Sequence, residues 1–99
     1  MRKTNIQQKL EGYYMVNKHY MYVLECSDGT FYTGYTNCLE RRLRMHNEGK
    51  ASKYTRGRTP VKIIYQETFE TKEAAMKAEY GFKQLSRKQK ESIINGSKQ

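Results

Sequence analysis

Tyr22, Tyr32, Arg42, His46 and Glu79 are side chains whose types combine into one chemistry, the hydrolysis of a phosphodiester. In-line attack on phosphorus builds negative charge on the non-bridging oxygens, and a guanidinium binds such oxygens through two parallel N–H groups. A carboxylate can hold one divalent cation that stabilises the leaving oxygen and neutralises charge. A phenol or an imidazole can position the attacking water or take its proton. Singly, each residue also has a plainer use. An Arg or Glu on the inner stripe of a helix snorkels to the rim, strand tyrosines pack, and a histidine can be purely structural. What separates the two readings is whether the chain folds so that the five groups converge.

Tyr22 stands in "YMYVLEC" (20–26) and Tyr32 in "FYTGYT" (31–36), two strand-like runs joined through "SDGT". A two-residue Asp28-Gly29 turn would pair Ser27 with Thr30. It would also set Tyr22 opposite Tyr35 and Glu25 opposite Tyr32, leaving Tyr22 and Tyr32 on opposite faces. A three-residue loop, Ser27-Asp28-Gly29 with Gly29 left-handed, pairs Cys26 with Thr30 and Leu24 with Tyr32. Tyr22 and Tyr32 then share a face, and this odd loop is the expected one. Asn37 and Glu40 read as a capping box opening a helix that runs to about Asn47 and stops at Gly49. On a 3.6-residue wheel Leu39, Arg42, Leu43 and His46 form one stripe, with Arg41 and Arg44 on the other side. The two leucines must face the sheet, so Arg42 and His46 face it or its rim.

A basic loop, "GKASKYTRGRTP" (49–60), leads to a third strand, "VKIIYQETF" (61–69). Thr71 caps a second helix over 72–85 with an apolar face of Ala75, Ala78, Phe82 and Leu85, and Glu79 lies beside Ala75. Ser86 and Gln89 form a capping box for a last helix ending near Asn95 and Gly96. The expected class is α+β with the order β-β-α-β-α-α. Residues 1–18 read as a flexible leader, with Met15 as an alternative start, residues 19–95 as the folded domain, and 96–99 as a tail.

Ninety-nine residues allow one small domain, and a net charge of +9 points to a polyanionic partner. Arg41, Arg42, Arg44, Lys50, Lys53, Arg56, Arg58 and Lys62 face a single acid, Glu48, across that stretch. Nearly all the excess charge therefore sits on one helix and the loop after it. Arg41, Arg44, Lys50, Lys53, Arg56 and Arg58, with Tyr54 for stacking, are the expected nucleic-acid contacts. Cys26 and Cys38 have neither C-x-x-C spacing nor histidines around them, so free thiols are expected in place of a zinc site. No run of seven apolar residues occurs, which argues against a signal peptide or membrane span and for a cytoplasmic protein.

At this point the residues resemble a known family. "YMY" (20–22), then ten positions from Tyr22 to Tyr32, then "YTG" (32–34), resembles the paired signature of the GIY-YIG nuclease superfamily. The first triplet keeps only Tyr22. The second keeps Tyr32 and Gly34, with Thr33 in place of isoleucine. "LERRLRMHNEGK" resembles the family helix in which an arginine is followed four residues later by a histidine, here Arg42 and His46. Glu79 falls where the family carries its metal-binding glutamate. The likeness spans residues 20–94 and is greatest to small, stand-alone bacterial members. "HNEGKASKYTRGRTP" also resembles the matching segment of eukaryotic structure-specific nucleases that cut branched DNA.

The resemblance implies a three-stranded antiparallel sheet flanked by about three helices, and metal-dependent hydrolysis of DNA phosphodiesters, structure-selective and connected with repair or recombination. By the same likeness Tyr22 and Tyr32 line the cleft and one positions or deprotonates water. Arg42 binds the scissile phosphate, His46 assists, and Glu79 holds one Mg²⁺ or Mn²⁺. A free phenol has a pKa of about 10, so ionising it at pH 7 costs about 4 kcal/mol, and Arg42 or metal-bound water must lower that cost. Duplex or branched DNA is the expected partner, with RNA also open, no membrane, a protein partner for targeting, and a monomeric state. The alternative is a module that binds nucleic acid without cutting it, with an adaptor that docks on an acidic protein as a third reading. An inward Glu79 argues against the binding module, because an anion-binding surface has no use for a carboxylate.

Overall fold

A computed structural model describes residues 18–96. The leader read over 1–18 therefore lies almost wholly outside the described residues, as does the tail beyond Gly96. Three strands are present, β1 (His19–Glu25), β2 (Phe31–Thr36) and β3 (Lys62–Phe69). Four helices accompany them: α1 (Leu39–Asn47), α2 (Lys53–Arg56), α3 (Lys72–Lys83) and α4 (Arg87–Gly96). The sheet is antiparallel throughout with β1 in the centre, in the order β2-β1-β3. This is the expected α+β arrangement, with the single turn of α2 added to it.

The hairpin has the odd loop. Leu24 pairs with Tyr32 and Tyr22 with Gly34, and the Cys26 amide donates to Thr30 O at 2.8 Å. Gly29 takes φ +84°, a left-handed value that a side chain would resist. Asp28 fills the rest of the turn, its Oδ1 accepting from the Thr30 amide at 3.1 Å and the Thr30 hydroxyl at 2.6 Å. Tyr22 and Tyr32 thus share a face.

That face is covered by α1. Tyr22, Leu24, Cys26 and Val61 are buried there against Tyr32, Leu39, Leu43 and Ile63. The opposite face is covered by α3 and α4, where Met21, Val23, Phe82 and Ile94 pack with Ile64, Tyr65, Phe69, Ala78 and Leu85. "VKIIYQETF" serves both faces because β3 carries a bulge. Tyr65 pairs with Val23 but Ile63 with Leu24, so Ile64 is an extra residue and neighbouring apolar side chains reach both cores.

Two capping expectations hold. Thr71 accepts from the Ala74 amide at 3.1 Å, and Ser86 and Gln89 bond reciprocally at 2.9 and 3.1 Å. The box expected at Asn37 and Glu40 does not form. Thr36 Oγ1 takes the Cys38 amide at 3.1 Å, and Cys38 becomes the N-cap with no side-chain bond. Asn37 is left outside the helix, accepting weakly from Arg41 Nη2 at 3.4 Å. Residues 49–60 are also more ordered than a loop. Ser52 Oγ accepts from the Tyr54 amide at 3.0 Å and opens α2. The Thr59-Pro60 peptide that follows is cis.

Two glycines give opposite expectations. A Cβ on Gly34 would lie 2.6 Å from both Cζ and Oη of Tyr22. Gly34→Ala should therefore cost about 1–3 kcal/mol, because the buried ring must move. Gly81 lies inside α3 with open space around it, so Gly81→Ala should stabilise by about 0.5–1 kcal/mol through helix propensity alone. Urea unfolding of the two variants measures both signs.

Candidate active site

Tyr22 leans from the central strand across Gly34 of β2 and is 1% exposed. Its Oη lies 2.8 Å from Nε2 of His46. His46 is itself fully buried, delivered by the last turn of α1 through the stripe that also carries Leu39 and Leu43 inward. The other ring nitrogen, Nδ1, lies 2.9 Å from Oγ1 of Thr55, a buried residue of α2. Asn47 holds the end of α1 in place: its amide side chain donates to Val61 O at 3.2 Å and accepts from Val61 N at 2.7 Å.

Tyr32 completes an aromatic cluster. Its ring centroid is 5.1 Å from His46, edge to face, and 6.5 Å from Tyr22. On its outer side it stacks on Tyr54 at 6.0 Å, and the Arg58 guanidinium covers the Tyr54 ring at 4.1 Å. Arg58 is fastened further, Nε to Asp28 Oδ2 at 2.9 Å and Nη1 to Tyr54 O at 2.6 Å. The Thr30 hydroxyl and amide, and then Arg58, hold the Asp28 carboxyl below its ordinary value. Tyr54 and Arg58, both expected as nucleic-acid contacts, are thus engaged in a column that braces Tyr32 and the hairpin turn.

Arg42 comes from the same stripe as His46. Its Nε is buried with no hydrogen-bond partner, the sole such side-chain atom among the described residues. Its charge and hydrogen-bonding reach pull the Tyr22 phenol toward ionisation. Burial and the neighbouring Tyr32 push the other way and win, so the phenol titrates well above its ordinary value. Burial, and then Arg42, pull His46 down to about 4. At neutral pH the pair is therefore a neutral phenol bonded to a neutral imidazole.

Glu79 arrives from α3, the layer on the far side of the sheet. Its side chain is 18% exposed and bonds Lys83 Nζ at 2.9 Å, and its charge reaches Tyr22. Among the described residues no three His, Cys, Asp or Glu side chains cluster as a metal cage. The donor chemistry still fits a cation that keeps most of its water shell, since one carboxylate and substrate oxygens suffice for Mg²⁺.

Arg41, Arg44, Lys50, Lys53 and Arg56 are exposed on α1, α2 and their connection. Lys50 leans on Glu48 at 3.6 Å. No helix among the described residues is long and apolar enough to cross a membrane, and Cys26 and Cys38 are free thiols. Thr55 and Asn47 escape a reading of the sequence by residue type. For Thr55 the available signal was "SKYTRG", a Ser cap and a following Gly around one helical turn.

The fold that carries these residues is that of a nuclease-type domain. The model described as the GIY-YIG catalytic domain matches residues 18–92, and the chain belongs to that family. Within it the chain is similar to UPF0213 proteins. One from Bacillus licheniformis is 62% identical over 78 residues, covering 79% of this chain and 80% of its own. One from Halobacterium salinarum is 57% identical over 76 residues, 77% of this chain and 99% of its own. Two solution NMR structures share the fold. The UPF0213 protein BH0048 from Bacillus halodurans has 49% identity and TM-score 0.53, covering 79% of this chain and 83% of that one. Protein EF2693 from E. faecalis has 53% identity and TM-score 0.56, covering 80% and 84%.

A buried neutral His46 makes stability depend on pH. The unfolded histidine takes a proton near pH 6.5, the folded one only near 4. Between those values the unfolded state binds more protons, so stability falls as pH drops through the window, by about 3 kcal/mol at most. The unfolding free-energy gap between wild type and His46→Gln should be constant above pH 7 and shrink toward pH 4. A gap that ignores pH contradicts the neutral, desolvated imidazole.

Proposed function

We propose that the chain is an endonuclease that hydrolyses DNA phosphodiester bonds at the group formed by Tyr22, Tyr32, Arg42 and His46. The observation that carries this reading is the unpaired, buried Nε of Arg42. A buried donor left unsatisfied costs about 1–3 kcal/mol, and a phosphate oxygen is the acceptor that a guanidinium fits bidentately. Beside it stands a hydrogen-bonded phenol and imidazole, a pair able to orient water and move its proton. Membership of the GIY-YIG family supports a nuclease-type activity.

In this reading Arg42 grips the scissile phosphate and stabilises its growing charge, while Tyr22 and His46 handle the proton of the attacking water. Tyr32 flanks the group, held there by Tyr54 and Arg58. Glu79 would hold one Mg²⁺ or Mn²⁺ in place of the half-exposed Lys83 ammonium it now bonds. Such an ion supplies charge neutralisation at the phosphate and the leaving oxygen. Arg41, Arg44, Lys50, Lys53 and Arg56 contact flanking phosphates, which confer affinity without reading bases. Strand geometry is then the feature left to select a substrate, which favours branched DNA of the kind met in repair and recombination.

Duplex, single-stranded and branched DNA incubated with Mg²⁺ or Mn²⁺ test this. Wild type should cut, with branched DNA preferred. Arg42→Ala and Glu79→Ala should each slow cutting about 10²–10³-fold while DNA binding persists. Wild type that binds every substrate and cuts none would leave a binding module instead. Undiminished cutting by Glu79→Ala would remove the metal role of that residue.

A further inference from the structure

Thr55 has no role in the reaction as described so far, yet it is fully buried and directly bonded to His46. We infer that Thr55 is a positioning residue whose hydroxyl holds His46 in its Nδ1–H tautomer, making Nε2 the acceptor of the Tyr22 proton.

The assignment follows from counting protons. A threonine hydroxyl has one proton to give. The Thr55 hydroxyl can give that proton to Ser52 O, a long, weak bond at 3.4 Å across the turn of α2. Its oxygen then accepts from Nδ1–H at 2.9 Å, and a neutral imidazole protonated on Nδ1 is bare on Nε2. The other end of the ring agrees. The phenol proton needs an acceptor, and Nε2 at 2.8 Å is there to take it. In the opposite tautomer Nε2–H would point at the phenol oxygen, and the phenol proton would lose that acceptor.

The catalytic consequence rests on the nuclease reading above. As water attacks phosphorus, its O–P bond forms and the bond to the leaving oxygen breaks. The water proton passes to Tyr22 Oη while the phenol proton passes to His46 Nε2, which later returns it to solvent; the leaving oxygen is protonated from solvent. Tyr22 relays and never has to exist as a free phenolate; the charge passes instead to a transient His46 imidazolium, which the anionic phosphate must offset. The turn of α2 also carries exposed Lys53 and Arg56. The element that sets the tautomer is therefore the one that meets the phosphate backbone.

The test is nitrogen NMR of the full chain with ¹⁵N-labelled histidine at pH 7. His46 should show a protonated, pyrrole-type Nδ1 and a bare Nε2. Thr55→Ser should preserve that pattern, and Thr55→Val should lose it with the rest of the spectrum still folded. Cutting by Thr55→Val should fall about 10²-fold in kcat with KM little changed, and Thr55→Ser should restore it. A wild-type His46 protonated on Nε2 overturns the inference, a reading that holds even if Thr55→Val fails to fold. So does a Thr55→Val protein that keeps the Nδ1–H form, or one that switches tautomer and still cuts at the wild-type rate. If wild type cuts no DNA at all, the nuclease reading fails while the tautomer assignment is judged by the spectra alone.

Discussion

The candidate site depends on one contact, the ring of Tyr22 lying over the bare Cα of Gly34. Tyr22 and Gly34 are cross-strand partners, and a Cβ on Gly34 would meet both Cζ and Oη of the ring. The missing side chain lets a phenol from the central strand lean across its neighbour, which brings the oxygen to His46. The hairpin loop decides whether this can happen, because a loop one residue shorter would turn Tyr32 to the other face. The same register places Leu24 beside Tyr32 under α1, so sheet pairing, core packing and the geometry of the two phenols are one constraint.

Desolvation sets the electrostatics built on that contact. Arg42 is near enough to favour a Tyr22 phenolate, but burial dominates and the phenol titrates high. For His46 burial and Arg42 act together and keep the ring neutral. The outcome is two uncharged partners joined by a short hydrogen bond, beside a guanidinium nitrogen with nothing to bond. In the proposed reading an incoming anion would compensate Arg42 with its oxygens, without requiring either ring to be charged beforehand. The brace of Arg58 over Tyr54 over Tyr32 holds the outer wall, so part of the basic segment supports the site.

Much of this was legible in the residues. Strand period and loop parity placed Tyr22 and Tyr32 on one face, helical period put Arg42 and His46 on the inner stripe with Leu39 and Leu43, and the Thr71 and Ser86 caps marked α3 and α4. These features are local, set by backbone periodicity and short-range hydrogen bonds. The features missed depend on tertiary contacts. Thr55 lies in a polar, basic stretch and becomes buried only because α2 folds against His46. Arg58 and Tyr54 have the composition of a nucleic-acid contact, yet Asp28, thirty residues away, recruits Arg58 into a stack. The capping box at Asn37 and Glu40 is absent because the helix starts one residue later, with Cys38 as N-cap after a turn in which Thr36 accepts from the Cys38 amide.

The central claim is that Tyr22 is a buried neutral phenol bonded to a neutral imidazole. The most direct measurement is the ¹³Cζ resonance of Tyr22, assigned through Tyr22→Phe and followed with pH in ¹³Cζ-tyrosine protein. A phenol-type shift is expected at neutral pH, persisting beyond the ordinary phenol value of about 10. A Tyr22 resonance already at the phenolate position near pH 7, or one that titrates at that ordinary value, would contradict it.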